Sequence, residues 1–394
     1  MAELLSIANA LALVLGRTHA LDAEEVAVAD AAGRFVAEGA TAPVDLPPFP
    51  SSAMDGFALR AADTPGTLRV AGRVAAGAPA RSALEPHDAM AISTGGVVPD
   101  GADAVAPVEV VTEENGAVAV PATAPGANVR PRGSDIAAGA EVVAAGTRLG
   151  PAQLAALAAA GIAAVRCVRR PRVAVLPTGT ELRQPGATLR AGEIYDSNGL
   201  MLVAQVATAG GEATRFDAVA DDEAATRAAI TRGLEADVLL TSGGVSVGEH
   251  DLVRRVEAEL GVEEIFWGVA MRPGKPLTFG VRGRSLVFGL PGNPVSSFVC
   301  FELFVRPALL AMQGAADPRP RYLVGRLAAP ARRNPRDSLL RARIRVAGDS
   351  VLLEPVAGQE SHMIARAATA DALVFVPSGE GELAAGAPVE YLQL

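Results

Sequence analysis

Five carboxylates stand out by position: Glu181, Asp196, Asp221, Asp222 and Asp251. Each falls near the end of a short apolar run or the start of a helical stretch. Hard oxygen ligands in that number suit a six-coordinate Mg2+ that also holds substrate phosphates. For any one of them a helix cap is the plainer role, for Asp222 above all. A cationic group follows in Met271-Arg272-Pro273-Gly274-Lys275-Pro276. Two prolines fix the backbone between its cations and lower the entropy lost on binding an oxyanion. A solvated surface turn is the alternative. Three loops pair glycine with hydroxyl or carboxylate residues: Pro177-Thr178-Gly179-Thr180-Glu181-Leu182, Ser242 to Asp251 with Gly243 and Gly244, and Leu290-Pro291-Gly292-Asn293-Pro294-Val295-Ser296. Glycine lets backbone N–H groups approach a phosphate or a ring closely. Asn293 suits a helix cap and Pro294 the first helical turn, where free N–H groups favour an anion. Taken alone, Ser-Gly-Gly after a strand is also an ordinary turn. His250 suits support of that turn better than the role of a base. Four histidines and two cysteines give little support to a zinc or cysteine-nucleophile mechanism.

Loops of this kind need strand ends to stand on. From residue 172 the pattern is strand, turn, helix, repeated. Strands are expected at 173–176, 214–219, 238–240, near 264–270 and at 285–290. Helices are expected at 198–209, 222–233, 251–260 and 294–312. That alternation predicts a doubly wound parallel sheet, with ligands outside the carboxyl ends of its strands. Residues 51–140 differ: short Val-, Ala- and Gly-rich runs predict an all-β insertion, barrel-like. Pro43, Pro47, Pro48 and Pro50 mark its boundary. Residues 22–43 read as a helix and a strand, and 151–160 as a helix. Beyond the linker Asp317-Pro318-Arg319-Pro320 the chain is strand-rich, a small β domain.

The 394 residues carry a net charge of −9, which argues against binding nucleic acid by phosphate neutralisation. Cys167 and Cys300 lie far apart in apolar surroundings and read as buried thiols in a reducing compartment. Leu154 to Val165 is too short and alanine-rich to span a bilayer. Leu4, Ile7, Ala8, Leu11 and Leu15 keep helical spacing, and Glu3 stands where a signal peptide needs a basic residue. A cytoplasmic protein with no membrane partner is expected.

At this point the chain resembles the molybdopterin molybdotransferase family, MoeA and the gephyrin E-domain, over essentially its whole length. The resemblance rests on Ser52-Ala53-Met54-Asp55-Gly56-Phe57-Ala58, Ser93-Thr94-Gly95 and Pro99-Asp100-Gly101-Ala102-Asp103-Ala104-Val105. It continues through Arg130-Pro131 before Asp135-Ile136, Thr178 to Leu182, and Ile194-Tyr195-Asp196-Ser197-Asn198. Ser242 to Gly248, Arg272 to Pro276 and Leu290 to Ser296 complete it. No single motif is specific; their order is. The resemblance implies an elongated homodimer of four-domain chains. The expected boundaries are 1–20 with 170–316 for an adenylyltransferase-like α/β domain and 21–43 with 140–169 for a mixed connecting domain. The inserted β domain would be 44–139 and the C-terminal β domain 317–394.

The implied substrates are adenylylated molybdopterin and molybdate, with AMP released and Mg2+ as cofactor. The site is expected between the α/β domain of one subunit and the β domains of the other. Asp55, Thr94, Glu181, Asp221 and Asp251 would be catalytic, the last three serving the metal. Ser242, Gly243, Gly244, Ser246, Asp196, Pro291, Gly292 and Asn293 would bind substrate. Arg272, Lys275, Pro276, Ser296, Arg341 and Ser361 would hold molybdate. The upstream adenylyltransferase and downstream molybdoenzymes or chaperones are the implied protein partners. Two positions depart from the family: Gly268 follows Phe266-Trp267 where a Lys is common, and Glu360 precedes Ser361 where Gly is usual. They favour the alternative of a scaffold that binds a protein partner, as gephyrin does. The intact Asp221, Asp251 and Lys275 favour an enzyme. A molybdopterin adenylyltransferase is a third reading, against which the two extra β domains weigh.

Overall fold

The computed structural model describes residues 4–220, 222–244 and 252–394. The chain forms two compact units, one of Met1–Glu24, Gly33–Phe35 and Val168–Leu394, the other of Glu25–Ala32 and Val36–Cys167. The first holds a six-stranded sheet: β1 Arg172–Pro177, β2 Glu212–Arg215, β3 Val238–Ser242, β4 Glu263–Trp267, β5 Thr278–Arg282 and β6 Ser285–Leu290. Their order is β2-β1-β3-β6-β5-β4. The first four in that order run parallel, β5 is antiparallel to β6, and β4 is antiparallel to β5. The expected parallel sheet therefore holds for four strands and gains an antiparallel edge. The sequence hid β5 because Gly280 interrupts its apolar run and Gly283, at φ +59°, turns the chain straight into β6.

Side chains alternate across this sheet as strand geometry requires. Val173, Val175, Val238, Leu240, Leu286 and Phe288 face one layer, with Ala10 and Val14 of α1 Ile7–Gly16 and Leu202 and Val206 of α2 Asn198–Thr208. Ala174, Leu176, Leu239 and Val287 face the other, with Ile230 of α3 Glu223–Gly233 and Val253 and Val256 of α4 Leu252–Glu259. Helices on both faces make the sheet doubly wound. The helical stretch α5, Pro294–Met312, is apolar and long enough to cross a membrane, but it is 72% buried within the first layer, as a core helix is.

The C-terminal strands are β7 Leu323–Leu327, β8 Asp337–Ala347, β9 Ser350–Pro355, β10 Ala372–Val376 and β11 Pro388–Gln393. They pair as β8-β9-β7-β11-β10 and back to β8, a closed ring of five strands. Leu327, Leu353, Val374 and Tyr391 fill it. Leu339, Leu373 and Leu392 instead join the core beside the α/β sheet, so ring and sheet share apolar contacts. Met271–Arg272 pairs parallel with the start of β8, which ties the cationic segment to the ring.

In the second unit the strands run in the order Ala104–Pro107, Gly56–Leu59, Asp88–Ile92, Gly66–Val74, Ala117–Val120, Thr112–Glu114. This sheet keeps two edges among the described residues; closure belongs to the C-terminal ring. The helix Pro151–Ala159 stands as expected. The helix expected in 22–43 is replaced by the strand Ala23–Ala27, a 3-10 turn at Val28–Asp30 and the short strand Ala40–Thr41. Gly33 at φ +74° breaks the run, and burial of Val28 and Val36 against Leu157 and Val165 overrides the helical preference of alanine.

Candidate functional site

Strand register sets the site. Pro177 pairs with Ser242, and Ser242 with Leu290, so the three glycine loops leave the sheet at one level. They wall a cavity of about 820 Å³ with Glu181, Asp196, Ser242, Gly243, Gly244, Pro291, Gly292 and Asn293 among its lining residues. Pro276, His362 and Ile364 also form part of the wall, so the C-terminal ring contributes to it.

Hydrogen bonds fix the loops to one another. Thr178 donates from N and from Oγ1 to the Ser242 carbonyl, at 3.0 and 3.2 Å. Gly243 N donates to the Leu290 carbonyl at 3.1 Å. Asn198 Nδ2 donates to Ser242 Oγ at 2.9 Å and to the Gly292 carbonyl at 2.8 Å. Asn198 is thus the clamp between the second and third loops. Its motif is visible in the sequence, yet only its neighbour Asp196 draws a role there. Gly243 stands at φ +102°, and a Cβ on it would lie 2.6 Å from the Thr178 carbonyl oxygen. Only glycine fits so close an approach.

Asp196 is 1% exposed. Its Oδ2 pairs with Arg215 at 2.7 Å and its Oδ1 accepts from Gly199 N at 2.8 Å. The carboxylate expected to bind substrate is therefore engaged inside the protein. It holds the start of α2 against the end of β2. Glu181 differs: it is exposed in the cavity wall, and its carboxylate folds back beside Gly179. Among the described residues no three His, Cys, Asp or Glu side chains gather to hold a metal ion. Asp221 and Asp251, the other expected metal ligands, and Ser246 lie outside the described residues. Among the described residues, Glu181 is the one member of that expected set that stands in the cavity wall.

The N-terminus of α5 is narrower as an anion site than the sequence suggests. Pro294 has no N–H, Val295 N donates to the Ser361 carbonyl at 3.0 Å, and Ser297 N to the Asn293 carbonyl at 3.0 Å. That leaves the Ser296 N–H without a partner among the described residues. Ser296 is 4% exposed. Arg272 is exposed and donates from Nη1 to Asn334 Oδ1 at 2.9 Å. Lys275 is exposed, with its Nζ 6.0 Å from the centre of the Trp267 ring. Arg341 is 1% exposed; its Nη2 donates to the Gly358 carbonyl at 2.8 Å, while Nε and Nη1 are buried without partners among the described residues. Burial pushes its guanidinium below the ordinary value, and the Glu360 carboxylate pulls it back. Of the residues expected around molybdate, Pro276 reaches the cavity wall; Arg272, Lys275, Ser296, Arg341 and Ser361 stand off it.

In the second unit Asp55 and Thr94 are both exposed, and Thr94 N donates to Asp55 Oδ1 at 2.8 Å. Gly268 has a structural explanation: it stands at φ +89°, and its N–H donates to the Leu277 carbonyl at 2.8 Å. A Cβ there would also meet Leu4 Cδ2 at 2.7 Å. The backbone path, not the loss of a cation, accounts for glycine at this position.

Sheet, cavity and ring together define an α/β domain with a cavity at its strand ends, joined to a small closed β domain. Three family profiles match in order: MoeA N-terminal region (domain I and II) over residues 5–161, probable molybdopterin binding domain over 174–311, and MoeA C-terminal region (domain IV) over 324–394. The chain is 37% identical over 390 residues to molybdopterin molybdenumtransferase 2 of Mycobacterium tuberculosis, covering 94% of each. It is 34% identical over 385 residues to molybdopterin molybdenumtransferase of Bacillus subtilis, covering 94% of this chain and 90% of that one. A crystal structure of a molybdopterin biosynthesis MoeA protein from Pyrococcus horikoshii matches with a TM-score of 0.85 at 28% identity over all of both chains. The chain belongs to the MoeA family of molybdopterin molybdenumtransferases.

Proposed function

We propose that this protein inserts molybdenum into adenylylated molybdopterin, using molybdate and releasing AMP. The observation that carries the reading is the cavity at the strand ends, walled by the family's own motifs in a chain matched end to end by molybdenumtransferases. The glycine loops suit close approach of backbone N–H groups to the pyrophosphate. Molybdate is a tetrahedral dianion, and Arg272, Lys275, Ser296, Arg341 and Ser361 offer the charge-assisted and hydroxyl hydrogen bonds it needs. The two nitrogens of the buried Arg341 that have no partner among the described residues, Nε and Nη1, support its place in that set. Mg2+ held by Glu181 with Asp221 and Asp251 would supply positive charge at the pyrophosphate oxygens. The remaining work falls to the chain: Asn198 keeps two loops in register, Gly243 opens the backbone, and Pro276 stiffens the cationic segment.

The working form is read as a cytoplasmic homodimer in which Asp55 and Thr94 of one copy serve the cavity of the other. The α/β part is read as adenylyltransferase-like, on its four parallel strands with an antiparallel edge. The scaffold-only alternative loses support with Gly268, whose glycine the backbone requires. The test is AMP release from adenylylated molybdopterin by the purified chain. Release that needs both molybdate and Mg2+ is expected. A folded protein that releases none under any combination refutes the reading.

A further inference from the structure

We propose that Tyr195 is the platform on which the adenine ring of the substrate stacks, an inference that rests on the function proposed above. Tyr195 is 44% exposed and its neighbour Ile194 54%, and both form part of the cavity wall. An aromatic ring exposed in a cavity wall offers its face to a planar partner. This ring is also held in place. Its hydroxyl donates to the Ala187 carbonyl at 2.8 Å. Ile194–Tyr195 pairs with Leu182–Arg183, and the Arg183–Glu193 ion pair at 2.6 Å braces the same short ladder. A tethered ring loses little freedom when a second ring lands on it.

Its place along the cavity chooses the partner. Asp196, next in the chain, is tied to Arg215 at the end of β2, so Tyr195 stands at the β2 and β1 end of the wall. Pro276, which leads into β5, and His362 and Ile364 of the C-terminal part supply other stretches of that wall. The cationic segment Arg272–Lys275 and Ser361 adjoin those stretches in the chain. A substrate that presents its dithiolene to molybdate there extends its nucleotide half toward Tyr195. Bases stack on an aromatic face whatever their hydrogen-bonding edge, so the site needs no further polar contacts to hold adenine.

The probe is AMP, titrated against the 394-residue chain, alongside the half-saturation constants for adenylylated molybdopterin and molybdate. Tyr195→Ala is expected to weaken AMP about ten-fold and to raise the half-saturation for adenylylated molybdopterin by a similar factor. Tyr195→Phe, which keeps the ring, should stay within about two-fold of wild type on both, and the molybdate constant should not move in either variant. Wild-type AMP affinity in Tyr195→Ala overturns the inference while leaving the proposed reaction intact. A loss in Tyr195→Phe equal to that in Tyr195→Ala overturns it too, because the hydroxyl tether and not the ring would then matter. Wild-type protein that releases no AMP removes the reading and the inference together.

Discussion

At Asp196 and Gly243 the chemistry of the site and the stability of the fold meet. Asp196 is buried and paired with Arg215, so removing its charge leaves the guanidinium without its counter-ion in a poorly solvated place. Asp196→Asn should cost roughly 3 kcal/mol of stability, in the range for breaking a buried pair. Denaturant titration checks this; an unchanged midpoint would mean that Arg215 finds another partner. Gly243→Ala should lower AMP release at least ten-fold, because a Cβ must push against the Thr178 carbonyl or displace the loop. Turnover within two-fold of wild type would show that the loop yields without harm. These residues also mark how far a sequence can be read. The three loops and their glycines were legible because glycine after an apolar run is a local signal. The engagement of Asp196 was not, because Arg215 stands on a different strand, and a carboxylate's partner across a fold leaves no mark on its own neighbours. Asn198 was hidden for the same reason: its two acceptors belong to loops far along the chain.

At the scale of elements, β3 is the strand from whose end the central loop departs, and it is anchored at its other end. Asp237 there accepts from both Nη atoms of Arg169 at 2.7 Å and from Arg172 N at 2.8 Å. Burial pushes its carboxyl up, but the Arg169 and Arg172 hydrogen bonds outweigh that and hold it below the ordinary 3.8. A carboxylate whose value is lowered by folding contributes stability that is full above its unfolded value and is lost as pH falls through the folded one. The protein should therefore lose stability as pH drops below about 4, and Asp237→Asn should flatten that limb while being less stable at neutral pH. Urea midpoints from pH 7 to pH 3 test it, and parallel curves for the two proteins would contradict it. The parallel core strands and helices at 198–208, 223–233 and 294–312 were legible from alternation and length. β5 was not, since a five-residue strand with glycine at its centre carries almost no periodic signal. The helix expected within 22–43 failed because alanine-rich composition says nothing of which side chains a neighbouring core will claim.

For the whole molecule, the end-to-end family match gives order to motifs that no single unit explains. The proposed dimer makes a prediction of its own. Asp55→Asn and Lys275→Ala chains, each inactive alone, should regain activity when mixed and allowed to exchange. Random pairing gives half mixed dimers, each with one intact site of two, so recovery should reach at most about a quarter of wild type. No recovery, with exchange shown by sedimentation of tagged chains, would place both residues in one copy's site or exclude a shared one. Closure of the C-terminal strands into a ring was not legible, because strand pairing between β8 and β10 joins segments that the sequence shows only as two apolar runs.

The most direct measurement follows both products in one reaction. Purified protein, adenylylated molybdopterin, molybdate and Mg2+ are combined, and the AMP released and the molybdenum bound to the dithiolene are counted over time. One molybdenum inserted for each AMP released is expected, with neither appearing when molybdate is withheld. AMP released at the same rate without molybdate, or in large excess over molybdenum bound, would make the protein a pyrophosphate hydrolase and contradict insertion as its chemistry.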